Sequence, residues 1–79
     1  MQLECVIQLN NNTVAFPLSS RKLKKIKIIT TANLTINNLS NGTTVLLATS
    51  AYQSDLEDLE IGPYNTFTTT GTATVFCYS

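Results

Sequence analysis

A period-two pattern between Lys24 and Asn37, with mostly apolar residues on one side and no Gly or Pro to interrupt it, constrains this chain more than any other feature. Successive side chains of an extended strand point to opposite faces, so the pattern predicts β-structure with one buried face. The segment is either one long, bent strand or two shorter strands that meet near Thr30-Thr31. The expected core positions are Ile26, Ile28, Leu34 and Ile36, and the expected outward positions are Lys25, Lys27, Asn33 and Thr35.

Extended segments continue on both sides of this stretch. Leu3 to Leu9 alternates in the same way until an Asn10-Asn11-Asn12 triplet turns the chain. Asn41-Gly42, which lies between apolar runs, predicts a tight hairpin turn with positive φ at both residues. The return strand, Thr43 to Ala51, is apolar on both faces, which is typical of a central strand or of a strand at an interface.

The C-terminal part of the chain predicts two strands, Tyr64 to Thr69 and Thr72 to Tyr78, joined through Thr70-Gly71. The last strand has Val75 and Cys77 on one face. Large Phe76 and Tyr78 side chains occupy its other face, an arrangement that a monomer does not easily bury.

Between these strands, Ser54 and Glu57 form a capping-box pair, which predicts one helical turn near 54–60 before Gly62-Pro63 ends it. The fold class is therefore all-β: a small antiparallel β-sandwich or open barrel of five to seven strands. The 79 residues form one domain, 1–79, close to the lower size limit for independent folding. Domains of this size often gain stability from a disulfide, a metal or a neighbouring subunit.

Cys5 and Cys77 are the two cysteines. The first residues contain no basic segment followed by an apolar run, and no stretch reaches the length of a membrane span, so we expect synthesis in the cytosol. Thiols stay reduced there, which favours two buried thiols over a disulfide.

Charge is scarce and strongly segregated. The five cations lie within seven residues, and four of the five acids lie within six, although the net charge is zero. The basic run could contact a nucleic acid backbone, form a solvated strand end, or meet the acidic run of a neighbouring subunit. The two clusters are Arg21, Lys22, Lys24, Lys25 and Lys27, and Asp55, Glu57, Asp58 and Glu60.

No residue set in the sequence indicates catalysis. There is no His to act as a base, no Gly-rich phosphate loop, and no Ser in a nucleophile elbow. The acidic run lacks the ligand order of a calcium loop, and two Cys without His cannot form the common zinc sets. We therefore expect a protein that is not an enzyme, with no cofactor and no metal. Tyr52, Tyr64 and Tyr78 leave a sugar-binding face as an alternative.

Thr, Asn and Ser occupy 13, 8 and 6 positions, so hydroxyls and amides replace the usual charges on the surface. Such a surface has few charges to oppose its association with other protein surfaces. In this composition, the chain resembles the small β-rich accessory proteins of tailed-phage particles, which decorate capsids or associate with heads. The resemblance is seen in stretches such as Ile28 to Ile36 and Tyr64 to Tyr78.

The resemblance implies a structural subunit that is made in the host cytoplasm and ends up in the virion. Its partners would be copies of itself or a larger structural protein. Nucleic acid, membrane and small-molecule partners are not expected. The candidate contact residues are the two charged clusters together with Phe76 and Tyr78. The competing hypothesis is a small binding module for a glycan or a nucleic acid backbone.

Overall fold

The computed structural model describes residues 2–39, 42–46, 52–53 and 59–79 of the chain, and in these ranges every regular element is a strand. The strands are β1 (Leu3–Asn10), β2 (Thr13–Ala15), β3 (Arg21–Leu23), β4 (Lys25–Thr30), β5 (Leu34–Leu39), β6 (Gly42–Leu46), β7 (Tyr52–Gln53), β8 (Leu59–Ile61), β9 (Thr66–Thr69) and β10 (Thr72–Tyr78). No helix in these ranges has the length and apolar character needed to cross a membrane.

The strands form a small antiparallel β-sandwich, which confirms the predicted fold class. Sheet 1 has the order β1-β10-β4-β7, sheet 2 has the order β2-β9-β5-β6, and β3 pairs with β8 in a two-stranded sheet 3. The ten described strands exceed the predicted five to seven. The difference comes from two- and three-residue segments that are too short to show periodicity.

The segment from Lys24 to Asn37 forms two strands, and they lie in different sheets. β4 belongs to sheet 1 and β5 to sheet 2, and the chain crosses between them at 31–33. The hydroxyl of Thr30 donates to the carbonyl of Ala32 at 2.6 Å, which stabilises the crossing. The alternation is confirmed, because Ile26, Ile28, Leu34 and Ile36 are buried. Lys27 and Asn33 are exposed, and Lys25 and Thr35 are half-buried on the outer sides.

The inner faces of the two four-stranded sheets build the core. Phe67 and Leu34 from sheet 2 and Val75 and Cys77 from sheet 1 are completely buried. β10 pairs with β1 on one side and with β4 on the other, so the last strand is central in its sheet. The two C-terminal strands are joined as predicted, yet they do not pair with each other, because β9 lies in sheet 2.

The predicted helical turn near 54–60 is wrong at its C-terminal end. Residues 54–58 lie outside the described ranges, but Leu59 and Glu60 belong to β8. Pairing with β3 satisfies the backbone groups of this segment and leaves Ile61 only 1% exposed. The three residues of β8 therefore form a strand despite the capping-box pair, Ser54 and Glu57, that favoured a helical turn.

Among the described residues the return strand lies at the edge of its sheet, so the first predicted alternative, a central strand, is wrong, and the second, a strand at an interface, stays a prediction. β6 pairs only with β5 among the described residues, and Val45 is 56% exposed. Residues 47–51, which complete the predicted strand, lie outside the described ranges.

The hairpin itself forms one position earlier than predicted. Leu39 lies opposite Gly42, so residues 40 and 41, which lie outside the described ranges, connect the strands. Gly42 has φ of 113°, which confirms the positive φ predicted for this residue, and the same prediction for Asn41 lies outside the described residues. Asn38, at a bulge in β5, also has a positive φ of 64°.

Replacing Gly42 with valine is expected to cost more than about 1 kcal/mol of unfolding free energy, because a β-branched residue resists positive φ. A denaturant melt measures the change. The control is Thr43→Val, which puts the same side chain at the next, exposed position. Equal stability of the two variants would show that the positive φ at Gly42 does not matter to the fold.

Candidate functional site

The fold divides the predicted basic cluster between two sheets. Arg21 and Lys22 lie in β3 of sheet 3, whereas Lys25 and Lys27 lie in β4 of sheet 1. Lys24 is at the bend between them, where its backbone N–H donates to the carbonyl of Tyr78 at 2.8 Å. The five cations therefore lie on two different sheets and on the bend between them.

Sheet 3 brings part of the acidic run against the basic run within one molecule. Lys22 lies directly opposite Glu60 in the β3–β8 pair. Asp55, Glu57 and Asp58 lie outside the described residues. One residue of each cluster therefore lies opposite the other in a strand pair of the same chain. The predicted meeting of the two clusters between neighbouring subunits remains a prediction.

Arg21 is held by a different acid, one that the sequence analysis did not consider. Its guanidinium Nη1 donates to Oε1 of Glu4 at 2.8 Å, and its Nε donates to the carbonyl of Ser19 at 2.9 Å. The hydrogen bond from Arg21, with a smaller contribution from the Ser79 hydroxyl, holds the pKa of Glu4 below its ordinary value. The carboxylate therefore stays charged and paired under neutral and mildly acidic conditions, and the pair is lost only as the pH falls through that lowered value.

The outer face of sheet 1 places two lysines beside two aromatic rings. Lys27 lies opposite Phe76, and Lys25 lies opposite Tyr78, in the antiparallel β4–β10 pair. The ammonium of Lys25 stands over the Tyr78 ring, 6.0 Å from its centroid, at the outer limit of a cation–π contact. We call this surface the basic–aromatic face and define it by Val6, Lys25, Lys27, Ile29, Phe76 and Tyr78.

Exposed apolar side chains extend this face on both flanks. Val6 lies opposite Phe76 on the β1 side and is 43% exposed, and Ile29 of β4 is 61% exposed. Beyond them, Gln8, Asn10, Thr72 and Thr74 help to line an open depression of about 390 Å³. The face thus combines cations, aromatic rings and amide groups on one side of a single sheet.

This combination is not visible in the sequence because its members are distant in the chain. No aromatic residue is interleaved with the lysines of the basic run. The pairing of β10 with β4 brings Phe76 and Tyr78 beside that run. In the sequence, this combination was indicated only by the large residues on both faces of the last strand.

The outer face of sheet 2, unlike the basic–aromatic face of sheet 1, has no charged residues in its strands β2, β9, β5 and β6. A hydrogen bond of 3.0 Å joins the Thr13 and Thr68 hydroxyls, and the Asn37 amide donates to the Thr66 hydroxyl at 3.1 Å. We call this surface the uncharged face and define it by Thr13, Ala15, Thr35, Asn37, Val45, Thr66 and Thr68.

Two of the three tyrosines of the alternative sugar-binding face, Tyr64 and Tyr78, lie in different places on the surface. Tyr64 is 86% exposed and lines a small depression with Ser20, Asn38 and Glu60, to which Tyr78 does not contribute. Tyr78 lies on the basic–aromatic face, and nothing is described of the Tyr52 side chain. Among the described residues, no group of three or more His, Cys, Asp and Glu side chains is arranged to hold a metal ion.

Cys5 and Cys77 lie directly opposite each other in the β1–β10 pair, with Cys5 half-buried and Cys77 buried, and both thiols are free. Burial raises the pKa of the Cys77 thiol far above its ordinary value and, to a lesser extent, that of Cys5. Because the thiolate is the reactive form, little of either side chain is reactive at neutral pH.

We predict that both cysteines are reduced in protein isolated from cytosol, and that they alkylate slowly until the chain is unfolded. Mass spectrometry under non-reducing conditions measures both properties. The intact mass should correspond to two thiols, and iodoacetamide should add rapidly only in denaturant. A mass two hydrogen atoms lighter would show a disulfide between these opposed residues.

No protein-family model, curated protein or solved structure matches this chain.

Proposed function

We propose that this protein is a non-enzymatic structural subunit of a multi-subunit assembly, and that it acts through protein–protein contacts. The assembly is most simply a virus particle, in which the protein is a capsid- or head-associated accessory protein made in the host cytoplasm. The partners are further copies of this chain, with or without a larger structural protein.

The observation that carries this proposal is the absence of charge from all the described strand residues of sheet 2. Surfaces of free domains are roughly 25–35% Lys, Arg, Glu and Asp. The central parts of protein interfaces are depleted of charged residues, among them Lys, Glu and Asp. A whole sheet without charge is therefore suited to lie against another protein surface.

The edges of the same sheet support the proposal independently. β2 and β6 are its edge strands among the described residues, and natural proteins usually protect such edges with lysines, prolines or bulges. The strand β6 has a threonine and a half-exposed valine where protection would be expected: Thr43 and Val45. An unprotected edge can pair with a strand of another chain, which would continue the sheet from one subunit to the next.

The virion assignment comes from the composition of the chain. The chain resembles tailed-phage accessory proteins in its threonine- and asparagine-rich β-strands, and small repeated subunits suit particles with many equivalent positions. The charge clusters are not needed for this proposal, because Lys22 and Glu60 already face each other within one chain.

A matched pair of lysine substitutions tests where subunits meet. Val45 on sheet 2 is 56% exposed and Ile29 on sheet 1 is 61% exposed, and both are β-branched residues in a strand. Val45→Lys should shift sedimentation toward the monomer, since an unpaired charge at an interface is costly to desolvate. Ile29→Lys should leave the assembly unchanged. The opposite pattern, or two unchanged variants, would contradict the role of sheet 2.

A further inference from the structure

The structure points to a second binding surface, on the side of the sandwich opposite to the uncharged face. We propose that the basic–aromatic face binds single-stranded nucleic acid. This inference does not rest on the proposed assembly function, because it uses sheet 1 and leaves sheet 2 free. It develops the nucleic acid alternative of the competing hypothesis, against the expectation from the sequence that nucleic acid is not a partner.

The basic–aromatic face presents two aromatic rings on an open sheet. Phe76 and Tyr78 are two residues apart in β10, so their side chains project from the same face about 7 Å from each other. Both rings are half-buried, which fixes their positions while leaving part of each accessible. Proteins that bind single strands commonly stack successive bases on such rings, and stacking is possible because unpaired bases expose their flat surfaces.

The charge of the basic–aromatic face is complementary to that of a phosphate backbone. Lys25 and Lys27 stand beside the two rings, and the described ion pairs include neither of them. The acid in the strands of sheet 1 is Glu4, and its carboxylate is already paired with Arg21 at 2.8 Å. Counted over the residues that the structure describes, the face therefore has a net positive charge, which attracts a phosphate backbone through the release of counterions.

The depression next to the rings adds polar groups to the basic–aromatic face. Gln8 and Asn10 from β1 and Thr72 and Thr74 from β10 line it with hydrogen-bond donors and acceptors. Groups of this kind can bind the edges of bases or the sugar hydroxyls. An open depression of about 390 Å³ has room for a nucleotide that continues from the stacked bases.

A protein partner explains this face less well. Lysine is depleted from the central part of protein interfaces, whereas here two lysines stand in the middle of the apolar and aromatic residues. Alternation of cations with rings suits a ligand that has both negative charge and flat aromatic groups. Nucleic acid is the macromolecule that provides both.

Fluorescence anisotropy with a labelled twelve-residue oligothymidylate tests the proposal. The native protein should bind this single strand more tightly than a duplex of the same length. Phe76→Leu keeps an apolar side chain but removes the ring, and it should weaken binding by about tenfold, as the loss of one stacked base does. A thermal melt of each variant verifies that it is folded.

The lysines provide a matched control. Lys27→Gln should weaken binding and reduce the slope of log affinity against log salt by about 0.7, the value for one contact to a single-strand phosphate. Lys22→Gln removes the same charge from sheet 3 and should change neither quantity. Since Lys27 is exposed, its variant gives an answer even if Phe76→Leu does not fold.

Three results would overturn the proposal. The first is absence of binding to the single strand at about 100 μM protein in low salt, where weak non-specific binding is still measurable. The second is equal affinity for single strand, duplex and heparin with Phe76→Leu unaffected, which would indicate simple attraction to polyanions. The third is an effect of Lys22→Gln as large as that of Lys27→Gln.

Discussion

Replacing Ile28 with alanine is expected to lower the free energy of unfolding by about 2–5 kcal/mol. Ile28 lies in the inner face of β4, directly opposite Val75 of the central strand, and is 7% exposed. The substitution removes three carbon atoms from a packed core and leaves a cavity that strands on both sides prevent from closing. Small domains have about 5–15 kcal/mol of stability in total, so this one change removes a large part of it.

The neighbouring isoleucine is the matched control. Ile29 is 61% exposed on the outer face of the same strand, so Ile29→Ala should change stability by no more than about 0.5 kcal/mol. Lys27→Ala, on the same outer face, should also be nearly neutral. Urea denaturation of the three variants measures the differences. A larger loss for Ile29→Ala or Lys27→Ala than for Ile28→Ala would show that the register of β4 is displaced by one residue.

Replacing Gly62 with alanine is the second change with a large expected effect, about 1–3 kcal/mol of destabilisation by overpacking. A Cβ atom at Gly62 would lie 3.0 Å from Cβ and 3.1 Å from Cα of Ser20, and it would clash with the Ser20 hydroxyl. The glycine is buried, and its N–H donates to Oδ1 of Asn65 at 2.9 Å. The segment therefore cannot easily move away from Ser20.

A double substitution separates this clash from other effects of alanine. Ser20→Gly removes the Cβ and hydroxyl that the new methyl group would meet, so it should recover part of the loss caused by Gly62→Ala. We expect a coupling of about 1 kcal/mol between the two sites, within the range for residues in contact. Denaturant melts of the two single variants and the double variant measure it. Strictly additive losses would contradict the close approach of Ser20 to Gly62.

The sequence was sufficient to predict the strands that alternate over several residues. Ile26 to Ile36 and Leu3 to Leu9 each have one apolar face, and burial of that face is the largest favourable contribution to folding. The glycine with positive φ at the hairpin was also predictable, since Gly adopts that conformation without steric cost.

The pairing of strands distant in sequence was not predictable in the same way. Nothing local indicates that β10 lies between β1 and β4, or that β9 and β10 belong to different sheets. Short segments such as Leu59–Ile61 are equally ambiguous, because three residues show no clear period and tertiary pairing decides their conformation.

The candidate sites also combine features that are visible in the sequence with features that depend on strand pairing. The charged residues were visible as clusters in the sequence, but the basic–aromatic face exists only because β10 pairs with β4. The uncharged face likewise depends on four strands from different parts of the chain that lie side by side. In both cases the individual side chains were apparent in advance, and their association depends on long-range topology.

The mass of the native protein in solution tests the assembly proposal most directly. Light scattering coupled to size-exclusion chromatography, over concentrations from about 5 to 500 μM, covers the usual range of weak and strong self-association. We expect a defined oligomer whose mass is a whole-number multiple of the 8.6 kDa chain and which Val45→Lys dissociates. A single species of 8.6 kDa at every concentration would contradict the proposal that this protein is a self-associating structural subunit.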